Sequence, residues 1–129
     1  IRQNNLQDQM HLCGLVPANT LPHINKNADA FIFPSLYEGF GLPILENFAT
    51  KTPVISSNAA CLPEIGQDAC LYFDPNSPEE LASQTNKLLQ DPKLRKTLTQ
   101  KGQKRLQNFS FRKMAEETHK LYIQSLTSK

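Results

Sequence analysis

The stretch ADAFIFPSLYEGFGLPILE, residues 28–46, decides the fold that this chain is expected to adopt. It starts with an apolar run that ends at Pro34 and is typical of a strand buried on both faces of a parallel sheet. It ends with Pro43 at a first helical position, followed by apolar residues at helical spacing. Between the two lies a loop with a glycine on each side of Phe40, which a hydrophobic core would not require. The stretch therefore predicts a strand, a functional loop and a helix.

The same alternation of apolar runs and helix starts continues along the chain. The predicted strands cover residues 10–13, 28–33, 53–57 and 70–73. The predicted helices begin near Thr20, Pro43, Ser77, Pro92 and Ser110, and the one at Ser77 has the pattern of a capping box. Strands that alternate with helices indicate an α/β fold, with a parallel sheet flanked by helices and right-handed crossovers.

Length and composition indicate one soluble globular domain. The chain has 129 residues, of which 39% are hydrophobic and 20% are charged. No apolar run approaches the ~18 residues that span a bilayer, and the polar N-terminus does not resemble a signal peptide. The chain begins without Met and in the middle of a pattern, so we expect it to be a fragment of a longer protein.

The three cysteines do not have the spacing of a metal site. Cys13, Cys61 and Cys70 are far apart in the sequence and odd in number, and no Cys-x-x-Cys or His-rich pattern accompanies them. Cys13 and Cys70 lie in apolar runs that are predicted to be strands, so we expect both thiols to be buried as small hydrophobic groups. A reducing, cytoplasmic setting fits this use of cysteine.

The net charge of +2 conceals an asymmetry between the two ends of the chain. Residues 1–92 hold four Lys or Arg against ten Asp or Glu, whereas residues 93–129 hold ten against two. Two interpretations stay open: a solvated helix face, or a face that docks on a partner domain or makes a peripheral membrane contact. Nucleic acid is not favoured as a partner, because aromatic residues are not interleaved with the basic ones.

The loop at residues 34–42 is expected to bind an anion. In open α/β sheets, ligands bind beyond the carboxyl ends of the strands, where this loop lies. Its glycines allow close approach of a ligand to the backbone, and the following helix offers unpaired N–H groups and the positive end of its dipole. A phosphate group has the matching charge.

The two glutamates of the stretch, Glu38 and Glu46, need a separate explanation because acids repel a phosphate. Carboxylates accept hydrogen bonds from vicinal hydroxyls, as the acidic residue of dinucleotide-binding folds does with ribose. Two such groups on either side of one diphosphate match the layout of a nucleotide sugar. The alternative is that Glu46 only complements the helix dipole and that Glu38 is a solvated loop acid.

These segments resemble the E-x7-E signature and flanking motifs of the family 4 retaining glycosyltransferases. Those enzymes have two Rossmann-like domains in the arrangement called GT-B, and the match follows the C-terminal domain over nearly the whole chain. The matching segments are G-L-V-P (14–17), N-A-D-A-F-I-F-P-S-L-Y-E-G-F-G-L-P-I-L-E (27–46), P-V-I-S-S-N (53–58), L-P-E-I (62–65), L-Y-F-D-P (71–75), S-P-E-E-L (77–81) and F-S-F (109–111).

The resemblance implies a role for each residue of the candidate site. Glu38, the catalytic candidate, would contact hydroxyls of the transferred sugar, and Glu46 would bind the ribose hydroxyls. The main chain at Val16 would border the nucleotide base. Backbone N–H groups of four successive residues would face the sugar and the donor phosphates, namely Gly39, Phe40, Gly41 and Leu42.

The resemblance also implies a function for the parent protein. Residues 1–129 would form a single, partial C-terminal domain that binds a nucleotide-diphosphate-sugar donor. The parent would transfer the sugar to an acceptor with retention of configuration, in polysaccharide, lipopolysaccharide or glycolipid synthesis, without a cofactor or a metal. It would act in the cytoplasm or at the inner face of a membrane. The alternative is a non-catalytic α/β module that binds a nucleotide or a partner.

Two departures from the family pattern qualify these expectations. Lys51 stands where the family has a helix-ending glycine, and a left-handed cap costs a non-glycine residue about 1 kcal/mol, so we expect this helix to end differently. The cations that clamp the diphosphate, and the acceptor-binding N-terminal domain, would lie upstream of residue 1. No Arg or Lys lies between residues 27 and 50 to replace them. We therefore expect the isolated chain to be inactive.

Overall fold

The computed structural model describes residues 1–127 and contains a parallel three-stranded sheet. Its strands are β1 (Phe31–Phe33), β2 (Val54–Ser57) and β3 (Cys70–Phe73), in the order β1-β2-β3. In the register of the sheet, Ile32 lies opposite Ile55, which in turn lies opposite Leu71. The prediction of an α/β fold with a parallel sheet flanked by helices is confirmed.

Helices connect the strands and complete the chain. They are α1 (Leu21–Asn27), α2 (Leu42–Thr50), α3 (Leu62–Gly66), α4 (Pro78–Gln90), α5 (Pro92–Leu106) and α6 (Phe111–Thr127), with 3-10 turns at Arg2–Asn4 and Gln67–Ala69. Each helix predicted from the sequence is present, and α3 is an addition. Since α2 connects β1 to β2, the loop that precedes α2 lies at the carboxyl edge of the sheet.

Side-chain caps start the helices of the second half. The Ser77 hydroxyl accepts a hydrogen bond from the Glu80 N–H at 3.2 Å, as a capping box requires. The Glu80 carboxylate does not complete the box; it accepts the Asp74 N–H at 2.8 Å instead. Asp91 caps α5 by accepting two backbone N–H groups, and the Ser110 hydroxyl accepts the Lys113 N–H at 3.1 Å.

The core has one layer on each side of the sheet. Val54 faces a cluster with Ile44 and Phe48 of α2, whereas the next residue, Ile55, faces a cluster built on α4 and α5. Neighbouring strand residues point to opposite faces, so a central strand with helices on both sides is apolar throughout. Helices α2 and α5 approach each other closely at Gly102 of α5. A Cβ at this position would lie 2.5 Å from the Phe48 ring and would clash with it.

The predicted strand at residues 10–13 is absent, and Cys13 is exposed rather than buried. The segment is irregular and forms no ladder with β1. As a result β1 is an edge strand in the described part of the chain, and the prediction that it is buried on both faces fails at Ile32, which is 39% exposed. Cys70 is buried, as predicted.

The expectation that α2 ends differently from its family is wrong. Lys51 adopts the left-handed conformation, with φ of 65° and ψ of 30°. The Lys51 N–H donates to the Phe48 carbonyl at 3.2 Å and the Thr52 N–H to the Asn47 carbonyl at 2.9 Å, which together form a Schellman motif. These two hydrogen bonds hold a lysine in a backbone conformation that normally takes glycine.

Candidate functional site

The loop between β1 and α2, residues 34–41, is tied to the neighbouring β2–α3 connection. The Ser57 hydroxyl, at the end of β2, donates to the Ser35 carbonyl at 2.5 Å. The Cys61 thiol donates to the Glu38 carbonyl at 3.2 Å. Neither donor was predicted as a site residue from the sequence, although Ser57 ends the adjacent strand and Cys61 follows it, so both reach the same edge of the sheet. They fix the first half of the loop.

The two glycines of the loop have different roles. Gly41 immediately precedes α2 with φ of 99°, and a Cβ there would lie 2.8 Å from the Leu62 side chain. Its left-handed conformation and its packing therefore both favour glycine. Gly39 has no atom within 4 Å of a built Cβ, so its main chain borders open space that a ligand could occupy.

The backbone at the start of α2 presents N–H groups without acceptors. Among residues 1–127, the N–H groups of residues 39–42 donate to no backbone or side-chain acceptor. The first residues of any helix lack an intrahelical acceptor, and here Gly41 supplies no side-chain cap. Unpaired N–H groups next to a helix start form a site of positive potential that favours an anion.

Both glutamates of the site have free carboxylates. Glu38 is partly buried and Glu46 is exposed, and within the described residues neither accepts a hydrogen bond nor forms an ion pair. Glu46 is the fifth residue of α2, and the first turn of that helix contains no acid. The helix dipole acts mainly within the first turn, so a favourable interaction with the dipole does not account for a glutamate at position 46.

Glu46 borders a groove between α1 and α2 with a volume of about 160 Å³. The other lining residues are Ala18, Leu21, Pro22, Asn25 and Thr50. Val16 is partly buried and lies two residues before this lining, on the same irregular segment. The structure thus brings that segment close to Glu46, while Val16 itself is not part of the groove.

The described part of the chain, residues 1–127, has neither a cluster of metal-ligating side chains nor a membrane-spanning helix. In that part of the chain, no three His, Cys, Asp or Glu side chains are grouped as metal ligands would be. Nor does any helix there have both the length and the apolar character to cross a bilayer. The prediction that the site needs no metal stays a prediction.

Comparison with known proteins identifies the family. A family model described as "Glycosyl transferases group 1" matches residues 1–105. This chain belongs to the group 1 glycosyltransferases. It is 38% identical over 109 residues to the O-antigen chain mannosyltransferase B of Escherichia coli, an alignment that covers 84% of this chain and 29% of that relative.

Solved structures of glycosyltransferases share the fold. Sucrose-phosphate synthase from Thermosynechococcus elongatus superposes with a TM-score of 0.87 and 29% identity, covering 99% of this chain and 33% of that one. The C-terminal domain of a group 1 glycosyl transferase from Francisella tularensis gives a TM-score of 0.73 and 32% identity, covering 83% of this chain and 56% of that one. The fold is of the GT-B type, and the chain spans about a third of its full-length relatives.

Proposed function

We propose that residues 1–129 are the C-terminal, donor-binding domain of a family 4 retaining glycosyltransferase. The parent protein transfers a sugar from a nucleotide-diphosphate-sugar to an acceptor. The observation that carries the proposal is the row of unpaired N–H groups at residues 39–42 between two carboxylates without partners, Glu38 and Glu46. A diphosphate with a hydroxyl-bearing group at each end matches that order of charges.

Each residue of the candidate site has a role in this mechanism. Glu46 accepts hydrogen bonds from the ribose hydroxyls, the main chain near Val16 borders the base, and Glu38 accepts hydrogen bonds from the transferred sugar. The bond between the anomeric carbon and the diphosphate oxygen breaks, and the acceptor hydroxyl oxygen bonds to the same face of the anomeric carbon while its proton passes to the leaving diphosphate. Negative charge develops on the leaving diphosphate, where the fixed N–H dipoles of residues 39–42 stabilise it.

The proposed partners follow from the same arrangement. The loop holds the donor from one side and contains no cation, so the remaining part of the parent supplies the basic residues as well as the acceptor site. No metal or cofactor takes part, and the isolated chain is inactive. The O-antigen relative supports a mannosyl donor and an acceptor in polysaccharide, lipopolysaccharide or glycolipid synthesis. The enzyme works in the cytoplasm or in peripheral contact with the inner face of a membrane.

The stereochemistry of transfer tests the proposed reaction. The full-length parent is first screened against nucleotide sugars, starting with GDP-mannose, by the shift of its unfolding temperature. Proton NMR then follows the configuration of the sugar that the enzyme releases from the best donor to water. We expect the first-formed sugar to keep the anomeric configuration of the donor. Inverted sugar would contradict retention, and donor binding without any transfer would favour a non-catalytic module.

A further inference from the structure

Phe40, next to the last residue of the loop, contacts an aromatic residue that is distant in sequence. Its ring packs edge-on against Phe109, with centroids 5.9 Å apart and ring planes at 86°. Phe109 lies in the short turn between α5 and α6. Edge-to-face pairs of this geometry are favourable because the positive edge of one ring meets the negative face of the other.

Phe109 is itself held in place by Arg105. The Arg105 guanidinium carbon lies 4.7 Å from the centroid of the Phe109 ring, within the range of a cation–π contact. The same guanidinium donates from Nε to the Ile65 carbonyl at 3.0 Å and from Nη2 to the Glu64 carbonyl at 2.9 Å. Phe109 also packs against the core cluster on that side of the sheet. The ring that meets Phe40 is therefore anchored to α3 and to the core.

The position of the loop depends on few contacts. Cys61 holds the Glu38 carbonyl, and Leu62 packs against Gly41. Gly39, between them, is in open space and adds no contact of its own. Phe40 is 43% exposed, which is more than a residue with a purely core role would show. The Cys61 thiol and Leu62 restrain the loop at Glu38 and Gly41. The contact between Phe40 and Phe109 therefore restrains the backbone between those two positions.

We infer that Phe109 is a positioning residue for the donor diphosphate. It acts through Phe40, by keeping the N–H groups of residues 39–42 directed at the phosphates. The inference rests on the proposed function, because it gives those N–H groups a phosphate as their ligand. Phe109 touches neither the donor nor the reacting atoms.

The test separates phosphate affinity from nucleoside affinity in the full-length parent. Calorimetry compares GDP and UDP with guanosine and uridine, for the wild type and for Phe109→Ala. One of the two diphosphates should bind the wild type more tightly. We expect Phe109→Ala to bind that diphosphate about three- to tenfold more weakly than the wild type does, which is the loss expected when an aromatic pair is removed. Affinity for the matching nucleoside is expected to stay unchanged. Equal losses for nucleoside and diphosphate, or no loss for either, would overturn the inference.

Further variants keep the result decisive. Phe109→Tyr retains the ring and should bind the diphosphate as the wild type does. If Phe109→Ala does not fold, Phe109→Leu replaces it as the test, because leucine keeps an apolar side chain and removes the aromatic ring. Phe111→Ala, two residues away and 82% exposed, is the matched control that should bind as the wild type does.

The double variant Phe40→Ala/Phe109→Ala tests whether Phe109 acts through Phe40. It should lose no more diphosphate affinity than Phe40→Ala alone, and additive losses would contradict action through Phe40. A wild type that binds neither diphosphate contradicts the proposed function instead.

Discussion

Cys70 and Tyr72 lie on the same face of β3, and burial makes both harder to ionise. Burial raises the pKa of the Cys70 thiol from its ordinary value of 9.0 to about 12. The pKa of the Tyr72 hydroxyl is also raised, mainly by burial and then by the neighbouring Cys70. The Tyr72 hydroxyl donates to the Gln67 carbonyl at 2.9 Å, which further favours its neutral form. These two residues should make the fold sensitive to alkali.

The free energy of unfolding should therefore fall as the pH rises. Above about pH 9 the thiol of Cys70 loses its proton in the unfolded chain but keeps it in the folded one up to about pH 12. The unfolded state then binds fewer protons, so stability is complete below pH 9 and decreases between these values. The free energy of unfolding, measured by urea unfolding at several pH values, therefore has a negative slope against pH in this range. We expect Cys70→Ala to make that slope less steep. Cys13→Ala, which removes an exposed thiol, should keep the wild-type slope; equal slopes in both variants would contradict the account.

At the scale of a single element, the end of α2 carries strain that a substitution can relieve. Lys51 occupies a left-handed cap that costs a residue with a Cβ about 1 kcal/mol. Lys51→Gly should raise the free energy of unfolding by up to about 1 kcal/mol, since glycine also gains freedom in the unfolded chain. Lys51→Ala is the control, because it removes the charge and keeps the Cβ. If urea unfolding shows that the Lys51→Gly variant is no more stable than the Lys51→Ala variant, the cap is not strained.

The elements that could be predicted from the sequence are those with local signals. A proline in the first turn marks the start of α2 and of α4, and a capping serine also marks the start of α4. The apolar runs at β2 and β3 pack into the core because helices cover both faces of the sheet. The run at residues 10–13 is also largely apolar but forms no strand, since strand formation depends on a neighbouring strand that composition does not reveal. The Schellman cap at Lys51 was missed because its hydrogen bonds override the preference of the residue.

The candidate site was predictable only in its contiguous part. Glu38, Glu46 and the amides between them lie on one stretch of sequence, so their proximity follows from the motif. The contacts that hold the loop come from Ser57, Cys61 and Phe109, which are distant from it in sequence. Ser57 and Phe109 lie in segments that match the family, but nothing in those segments indicates that they reach the loop. Only the three-dimensional structure brings them to the loop.

At the scale of the whole molecule, the structure explains part of the charge asymmetry. Arg95 and Lys101 of α5 form ion pairs at 2.9 Å with Asp29 and Asp68 of the acidic part. The basic segment therefore complements the first two thirds of the chain rather than standing apart from it. Helix α6 differs, since none of its residues is buried within the described structure. Its helical periodicity was clear in the sequence, but periodicity alone does not show what a helix packs against.

We propose that residues 38–46, from the end of the loop into α2, bind a nucleotide sugar, with Glu46 on the ribose. The most direct measurement is a calorimetric titration of the full-length parent and its Glu46→Ala variant with the donor found in the screen. Glu79→Ala removes an exposed glutamate from the first turn of α4 and serves as the control. The account predicts that Glu46→Ala weakens binding at least about tenfold, which corresponds to ~1.4 kcal/mol, while the control binds normally. Unchanged affinity in the Glu46→Ala variant would contradict it.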